Sequence, residues 1–495
     1  MKKLNLICAS IAVLCSAAAN AGTLTAATTG GTVFAIENFR GTTSAAADGI
    51  RPGVISYSMS NITAVNPGAT VFFTVRLAGG QFAAAVATPA NIGNFTFAGA
   101  PLVVPGGAVV SGVVTRSTDG TTVQVAVTNG TVNTITLGLG AFGFAPAVND
   151  IQSVNSTLSV VGGTVTATVG LNTVSQTIEA STPQTTVDVR LATATIAVAA
   201  KAITGTISSL PGYNGRIDLS ATPPGSIFTV TPGVALGSAT FVNNAGIQNV
   251  RAGAGADYTL ANGNGGVNTG AVFTITPGAG AFPIGSTLSL NSAQDCAGGT
   301  TVVSTGSGIV AFTAVTAVTA KTLTTGVAVV NNTPTFVCLS APSAGNTATP
   351  ITPMLTVDVT EASATDLIDN ATGTGYALGF NGSQVDVKTY YPASLSIFGY
   401  QSFIRIINTG SAAAVVSGAY IAENTGVAGT SFPLTGSIAA GGAVVVTGAQ
   451  IANVLGNIGS ADRPRLRLTA PTNSLVVQYY LQNPGGTITE ISSSQ

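Results

Sequence analysis

From residue 53 onward, apolar side chains recur at every second position in short runs. Thr122-Val123-Gln124-Val125-Ala126-Val127 alternates cleanly, the period of a strand with one wet and one dry face. The runs 54–59 and 70–77 are rich in Val, Ile, Phe and Tyr, with Asn66-Pro67-Gly68 and Gly79-Gly80 as turns. Residues 108–116 and 121–128 flank Thr118-Asp119-Gly120, a strong hairpin signal. Asn129-Gly130 then turns the chain into 131–139, and 157–169 and 185–199 continue in the same style. Few segments show helical spacing. The pattern predicts an all-β protein built of many-stranded sandwiches or barrels.

The second half repeats the style, with strands predicted at 258–260, 271–276, 287–290, 308–318, 322–330 and 354–359. The stretch 309–330 carries no charge except Lys321, so it should be paired or buried rather than left as an aggregation-prone edge. The tail predicts strands at 402–408, 412–419, 442–447, 464–469 and 474–482. Thr447 can cap a short helix over 450–455 that ends at Gly456. Phe403, Tyr479 and Tyr480 supply bulk for its core.

Several phrases occur twice. Gly-Tyr-Asn-Gly-Arg-Ile-Asp-Leu at 212–219 returns as Gly-Phe-Asn-Gly-Ser-Gln-Val-Asp-Val at 379–387, and both run on to Ser-Ile-Phe, at 226–228 and 396–398. Thr-Pro-x-x-Thr-Val-Asp-Val stands at 182–189 and again at 352–359. Tyr57 and Phe72 are spaced as Tyr258 and Phe273 are. The period is the size of a domain, too long for a solenoid coil. The expected organisation is a leader at 1–21, an N-terminal segment at 22–50, one β-module at 51–228, a connector at 229–249 with one or two strands of its own, a diverged second copy at 250–398 and a C-terminal β-domain at 399–495. Within 22–50 the apolar run 32–39 could be an edge strand of its own module or a strand given to a neighbour's sheet.

Composition changes this picture in three ways. Lys2 and Lys3, the apolar run 4–17 and Ala19-Asn20-Ala21 read as an export signal, too short to stay as a membrane span. Its removal leaves 14 basic and 17 acidic residues, a net charge of −3. Such a chain has no basic stripe for nucleic acid, and its neutral surface does little to keep copies apart. Cys296 and Cys338 survive in an exported chain and predict a disulfide closing about 43 residues, worth ~4 kcal/mol by chain entropy.

Candidate chemistry is sparse. There is no histidine, so the tuned base that most hydrolytic nucleophiles use is missing, and the chain reads as no enzyme. A carboxylate pair for glycoside cleavage is the one enzymatic alternative. The densest acidic group is Asp358, Glu361, Asp366 and Asp369, which could suit a calcium ion or be an ordinary acidic loop. Asp188 matches Asp358 and Asp218 matches Asp386 across the repeat, which favours a structural job such as bonding backbone amides in a turn. Arg463, Arg465 and Arg467 alternate along one strand and would project from one face, either as a solvated edge or as a contact with anionic surface sugars or a neighbouring subunit.

The tail phrases Ser-Phe-Ile-Arg-Ile-Ile-Asn at 402–408, Arg-Pro-Arg-Leu-Arg-Leu at 463–468 and Val-Gln-Tyr-Tyr-Leu-Gln-Asn-Pro-Gly-Gly at 477–486 look like a β-domain of secreted proteobacterial surface proteins. The whole chain, by its leader, low charge, absent Trp and His and Thr/Ala/Gly/Val style, resembles Gram-negative surface-layer (S-layer) proteins. The resemblance implies an extracellular, self-assembling structural protein, with itself and outer-membrane lipopolysaccharide as partners and no cofactor unless calcium. The 17 acidic residues are fewer than calcium-rich members of that family carry. The competing expectation is an adhesin or pilus-like subunit assembled by strand donation.

Overall fold

The computed structural model describes residues 23–494 with interruptions, the longest of them 40–53, 102–109, 175–185, 298–308, 312–319 and 362–370. Strands make up 51% of the structure and helices 7%, so the all-β expectation holds. Among the described residues no sheet closes into a barrel. The strands form three two-sheet sandwiches, each around its own apolar cluster.

In the first sandwich a six-stranded sheet runs in the order Val33–Ala35, Thr186–Ala200, Thr164–Val174, Thr70–Ala78, Thr122–Asn129, Val110–Arg116. It packs Phe73, Val75, Val125 and Val169 against Ile55, Tyr57, Phe142 and Phe144 of a second sheet. Alternation sets this packing: in Thr70–Ala78 every second side chain is buried, which puts Phe73 inside and leaves Phe72 half-buried. The Asp-Gly hairpin forms between Val110–Arg116 and Thr122–Asn129. Asp119 accepts from Ser117 Oγ and from Thr121 N and Oγ1, bonds that hold its carboxyl below the usual range, and Gly120 takes the left-handed φ of +73°.

The second sandwich pairs Ile203–Ser208, Gly233–Asn243, Thr335–Ser340, Thr287–Asn291 and Ile309–Ala311 in one sheet. The other holds Lys321–Thr324, Asn268–Thr276, Met354–Glu361 and Ala371–Thr374. The expected connector at 229–249 thus holds an interior strand. Gly233–Asn243 is buried on both faces: Val234 and Leu236 face the core, and Ala235 packs with Leu210, Phe336 and Cys338. Gly237 carries the bulge in that strand at φ +153°. Side chains of the expected first module beyond residue 200, such as Ile217 and Phe228, lie in this second core.

The third sandwich stacks Ser383–Val387, Arg465–Ala470, Ala414–Ile421 and Phe432–Ile438 on Ala443–Thr447, Gln401–Asn408, Leu475–Gln482 and Ile488–Ser494. The helix Gly448–Leu455 has a full Thr447–Gln450 capping box and ends at Gly456. Tyr479 is buried, as its bulk suggested, but Phe403 and Tyr480 fall on half-buried positions because their strands alternate in the opposite phase. Tyr390 fills the core beside Tyr479 instead, and burial pushes both phenols up. Tyr479 OH lies 3.1 Å from Ser402 Oγ and accepts from Tyr391 N at 3.0 Å, which satisfies it without water.

The repeated phrases map unevenly onto this frame. Thr70–Ala78 lies between Thr122–Asn129 and Thr164–Val174, and Asn268–Thr276 lies in the same way between Lys321–Thr324 and Met354–Glu361. The Thr-Val-Asp-Val phrases are out of step, however. That at 186–189 opens Thr186–Ala200, one strand further from the centre than Met354–Glu361, which carries the other.

Candidate functional site

The third sandwich turns one sheet face away from its own core and toward the second sandwich. On Arg465–Ala470 the leucines 466 and 468 point into the core, so Arg465, Arg467 and Thr469 share the outer face. Register places Asp386 opposite Arg467, and Gln384 opposite Thr469. Arg467 donates to Asp386 through Nε at 2.8 Å and Nη2 at 3.0 Å, a bidentate pair, and Arg465 Nη1 stands 3.8 Å from the same carboxylate. With the Gln384 amide turned so that its oxygen faces Arg467, that oxygen accepts from Nε at 2.6 Å and Nη1 at 3.1 Å.

The outer face is bordered by the place where Ile217 meets the segment 379–381. Ile217 N donates to Gly379 O and Asn381 N to Ile217 O, so the chains run side by side for one parallel bridge. Asn381 then locks the crossing: its Oδ1 accepts from Leu219 N at 2.9 Å and its Nδ2 donates to Asp218 Oδ1 at 2.9 Å. Asp218 also accepts from Ser220 N and Oγ. Burial works to raise the Asp218 pKa, but the bonds from Ser220 and Asn381 outweigh it and hold the carboxyl below the ordinary range. Asp218 thus does the expected turn-bonding job, whereas Asp386 pairs with an arginine.

Between these elements lies a small, partly open cleft. Leu219, Pro223, Pro224 and Phe380 make its apolar wall, and Gln384, Arg467 and Thr469 its polar floor. Thr469 is 5% exposed, and its Oγ1 is buried without a hydrogen-bond partner.

The expected arginine trio is therefore brought together only in part. Arg465 and Arg467 meet at Asp386, while Arg463 sits 5.0 Å from the centre of the Tyr391 ring. Their strand is not an edge: it lies inside its sheet, between Ser383–Val387 and Ala414–Ile421. Cys296 and Cys338 are bonded, with Cα atoms 5.9 Å apart. Of the acidic group, Asp358 is half-buried on Met354–Glu361; the side chain of Glu361 and residues Asp366 and Asp369 lie outside the described residues. Among the described residues no three His, Cys, Asp or Glu side chains gather as a metal site would need, and no helix is long and apolar enough to cross a membrane. Sequence reasoning passed over Gln384, Asp386 and Thr469 as a site. Their signal was the alternation Gln384-Val385-Asp386, but the partner strand lies some eighty residues away in sequence, as the Arg467–Asp386 bond shows.

Neither a protein-family model nor a curated protein matches the chain. Among solved structures it is similar to the C-terminal domain of the Streptococcus pyogenes antigen I/II-family protein AspA, at 8% identity and a TM-score of 0.22, over 71% of this chain and 98% of that one. It is similar to a variant of BcpA, the major pilin subunit of Bacillus cereus, at 8% identity and 0.21, over 88% and 94%. A third similarity, to a structure of Gaeumannomyces graminis manganese lipoxygenase with part of a Komagataella pastoris zonadhesin, has 13% identity and 0.19, over 72% and 94%. Scores this low identify no common fold.

Proposed function

We propose that this is an exported structural protein whose copies associate side by side into a surface layer on a Gram-negative cell. The observation that carries the reading is the pair of outer strands of one sheet in the third sandwich. Among the described residues, Ala443–Thr447 and Ile488–Ser494 each pair on one side only. Their sole charge is Glu490, and they expose Val445, Ile488 and Ile491. Soluble proteins usually blunt such edges with charge, proline or a covering element. Pairing the 443–447 edge of one copy with the 488–494 edge of the next is a heterologous contact, which extends as an open row where its rotation does not close into a ring, and rows lying side by side would make the layer. A chain with 7% charged residues opposes this contact with little repulsion. Lipopolysaccharide is the proposed anchor.

The test is negative-stain microscopy and sedimentation of the full chain at rising concentration. Two-dimensional arrays that vanish in an Ile488→Lys, Ile491→Lys variant are expected. A chain that stays monomeric at high concentration, with or without calcium and outer-surface polysaccharide, ends the proposal. Filaments would favour the second reading, an adhesin or pilus-like subunit. Thr23–Ala27 speaks for that reading, because it adds to Val54–Ser58 at a sheet edge as a donated strand would. The apolar run considered for donation speaks against it: Phe34, Ile36 and Phe39 are buried in their own chain's first core.

A further inference from the structure

We infer that the Cys296–Cys338 disulfide is a redox latch. It holds a strained cap over an apolar patch on the outer face of the second sandwich, and a dithiol reductant opens it. The patch exists because Gly233–Asn243 is buried on both faces. Ala235 points away from the second core and forms a small apolar cluster with Leu210, Phe336 and Cys338. Register sets Ala235 opposite Cys338, and Cys338 opposite Ser289 on the next strand. After that strand, Thr287–Asn291, the chain turns: Asn291 Oδ1 accepts from Ala293 N, and Cys296 N donates to Ala293 O. The turn brings Cys296 onto the cluster, where it is bonded to Cys338.

Two residues on this patch hold a backbone conformation that their side chains resist. Cys296 has a φ of +58° and Leu210 one of +57°, in the left-handed region that suits glycine. Among the described residues other than glycine only Asn332 shares it, and asparagine tolerates it. Strained positions persist where their surroundings over-determine them, and they gather at switches. At Cys296 the bond to Cys338 supplies that constraint. Once the bond is cut, Cys296 relaxes out of the left-handed region and the turn leaves the patch.

The opening step is thiol–disulfide exchange. Cys338 is 3% exposed and Cys296 only partly buried, so a reductant thiolate reaches Cys296 Sγ. A sulfur–sulfur bond forms there, the protein's own bond breaks, and Cys338 leaves as a thiolate that takes up a proton. The second thiol of the reductant then displaces Cys296. Two protein thiols and one cyclic, oxidised reductant result, a balanced two-electron exchange.

The test is hydrogen exchange by mass spectrometry on the full chain with and without dithiothreitol, beside thiol labelling and the fluorescence of anilinonaphthalene sulfonate. Reduction should speed exchange several-fold at 291–297 and at Leu210, while Asn268–Thr276 stays protected. Dye fluorescence should rise several-fold, and Phe336→Ala should cut that rise. A Cys296→Ser, Cys338→Ser variant should match the reduced protein and ignore the reductant. A bond that resists dithiothreitol in the folded chain overturns the proposal. So do unchanged exchange and dye binding once both thiols are labelled, because the cap then stays shut without its bond. Loss of protection across Gly233–Asn243 and Asn268–Thr276 together also overturns it, since the bond would then be a staple of the whole second core.

Discussion

The chain crosses from one sandwich to the next twice, and the two crossings are built differently. At the first, Val33–Ala35 runs parallel to the end of Thr186–Ala200 while Ala35 N donates to Gln248 O and Gln248 N to Val33 O. Glu37 follows, fully buried, and its Oε1 accepts from Ala202 N at 2.8 Å and Ile203 N at 2.9 Å. Asn38 Nδ2 reaches Asn249 Oδ1 at 3.3 Å, also out of water. At the second crossing Asn381 and Asp218 do a similar job beside an open cleft. Both crossings use one polar side chain to satisfy backbone amides that no strand pairs. The first is dry, so its polar bonds are costly to lose; the second is wet, and water can replace what a substitution removes.

The sharpest way to break the comparison is Glu37→Ala. It strands two buried amides and should cost about 3 kcal/mol, read as a lower denaturant midpoint at unchanged slope. Glu37→Gln keeps an acceptor oxygen for the two amides and should lose less, about 1 kcal/mol. Equal losses in the two variants would mean that the carboxylate charge, not the two amide bonds, holds the first crossing.

Asn381→Ala tests the second crossing. It removes the acceptor of Leu219 N and one donor to Asp218, but solvent reaches both through the cleft. About 1–2 kcal/mol is expected, below the Glu37→Ala loss. A loss as large as that one would show the second crossing to be as dry as the first.

How much of this could be read in the sequence follows from range. Alternation, the Asp119-Gly120 hairpin and the Thr447–Gln450 cap depend on neighbours within a few residues, and their strands and helix lie where the pattern put them. With Cys8 and Cys15 in the expected leader, Cys296 and Cys338 were the pair expected to bond, and they do. The partition into cores was not legible: a repeated phrase marks similar residues, not a boundary, and Ile217 and Phe380, one from each copy, turned out to pair with each other at the second core. The Ser-Ile-Phe phrases show the same limit, since Phe228 is 2% exposed and Phe398 58%. Glu37 could not have been found either. Its partners lie 165 and 166 residues away, and nothing local distinguishes it from a surface glutamate. Asp386 was singled out for a turn, because the arginine opposite it is 81 residues on.

On the outer face of the third sandwich, a double-mutant cycle of Asp386→Ala with Arg467→Ala should give a coupling of about 1 kcal/mol. Both side chains are about a quarter exposed, so solvent screens the pair, while the bidentate geometry keeps it above an ordinary surface bridge. Measured in high salt, the coupling should shrink. The Glu37 bonds, sealed from counterions, should keep their strength, and a salt effect of equal size at both places would erase the distinction between a dry and a wet crossing.

The smallest effect expected is an acid one, and its sign follows from Asp218. Its carboxyl is held below the usual range in the folded chain, where hydrogen bonds from Ser220 and Asn381 prevail over burial. A depressed folded pKa adds stability above the unfolded value of about 3.9, and that stability is lost as the pH falls through the folded value. Asp218→Asn keeps an oxygen to accept from Ser220 and removes the titration. The melting temperature of this variant should therefore lie slightly below the wild type at pH 7, and the gap should close as the pH falls through the folded value. A gap that widens on acidification would mean that the folded chain prefers Asp218 protonated, and the wet crossing would then be held by a neutral carboxyl rather than by a charge.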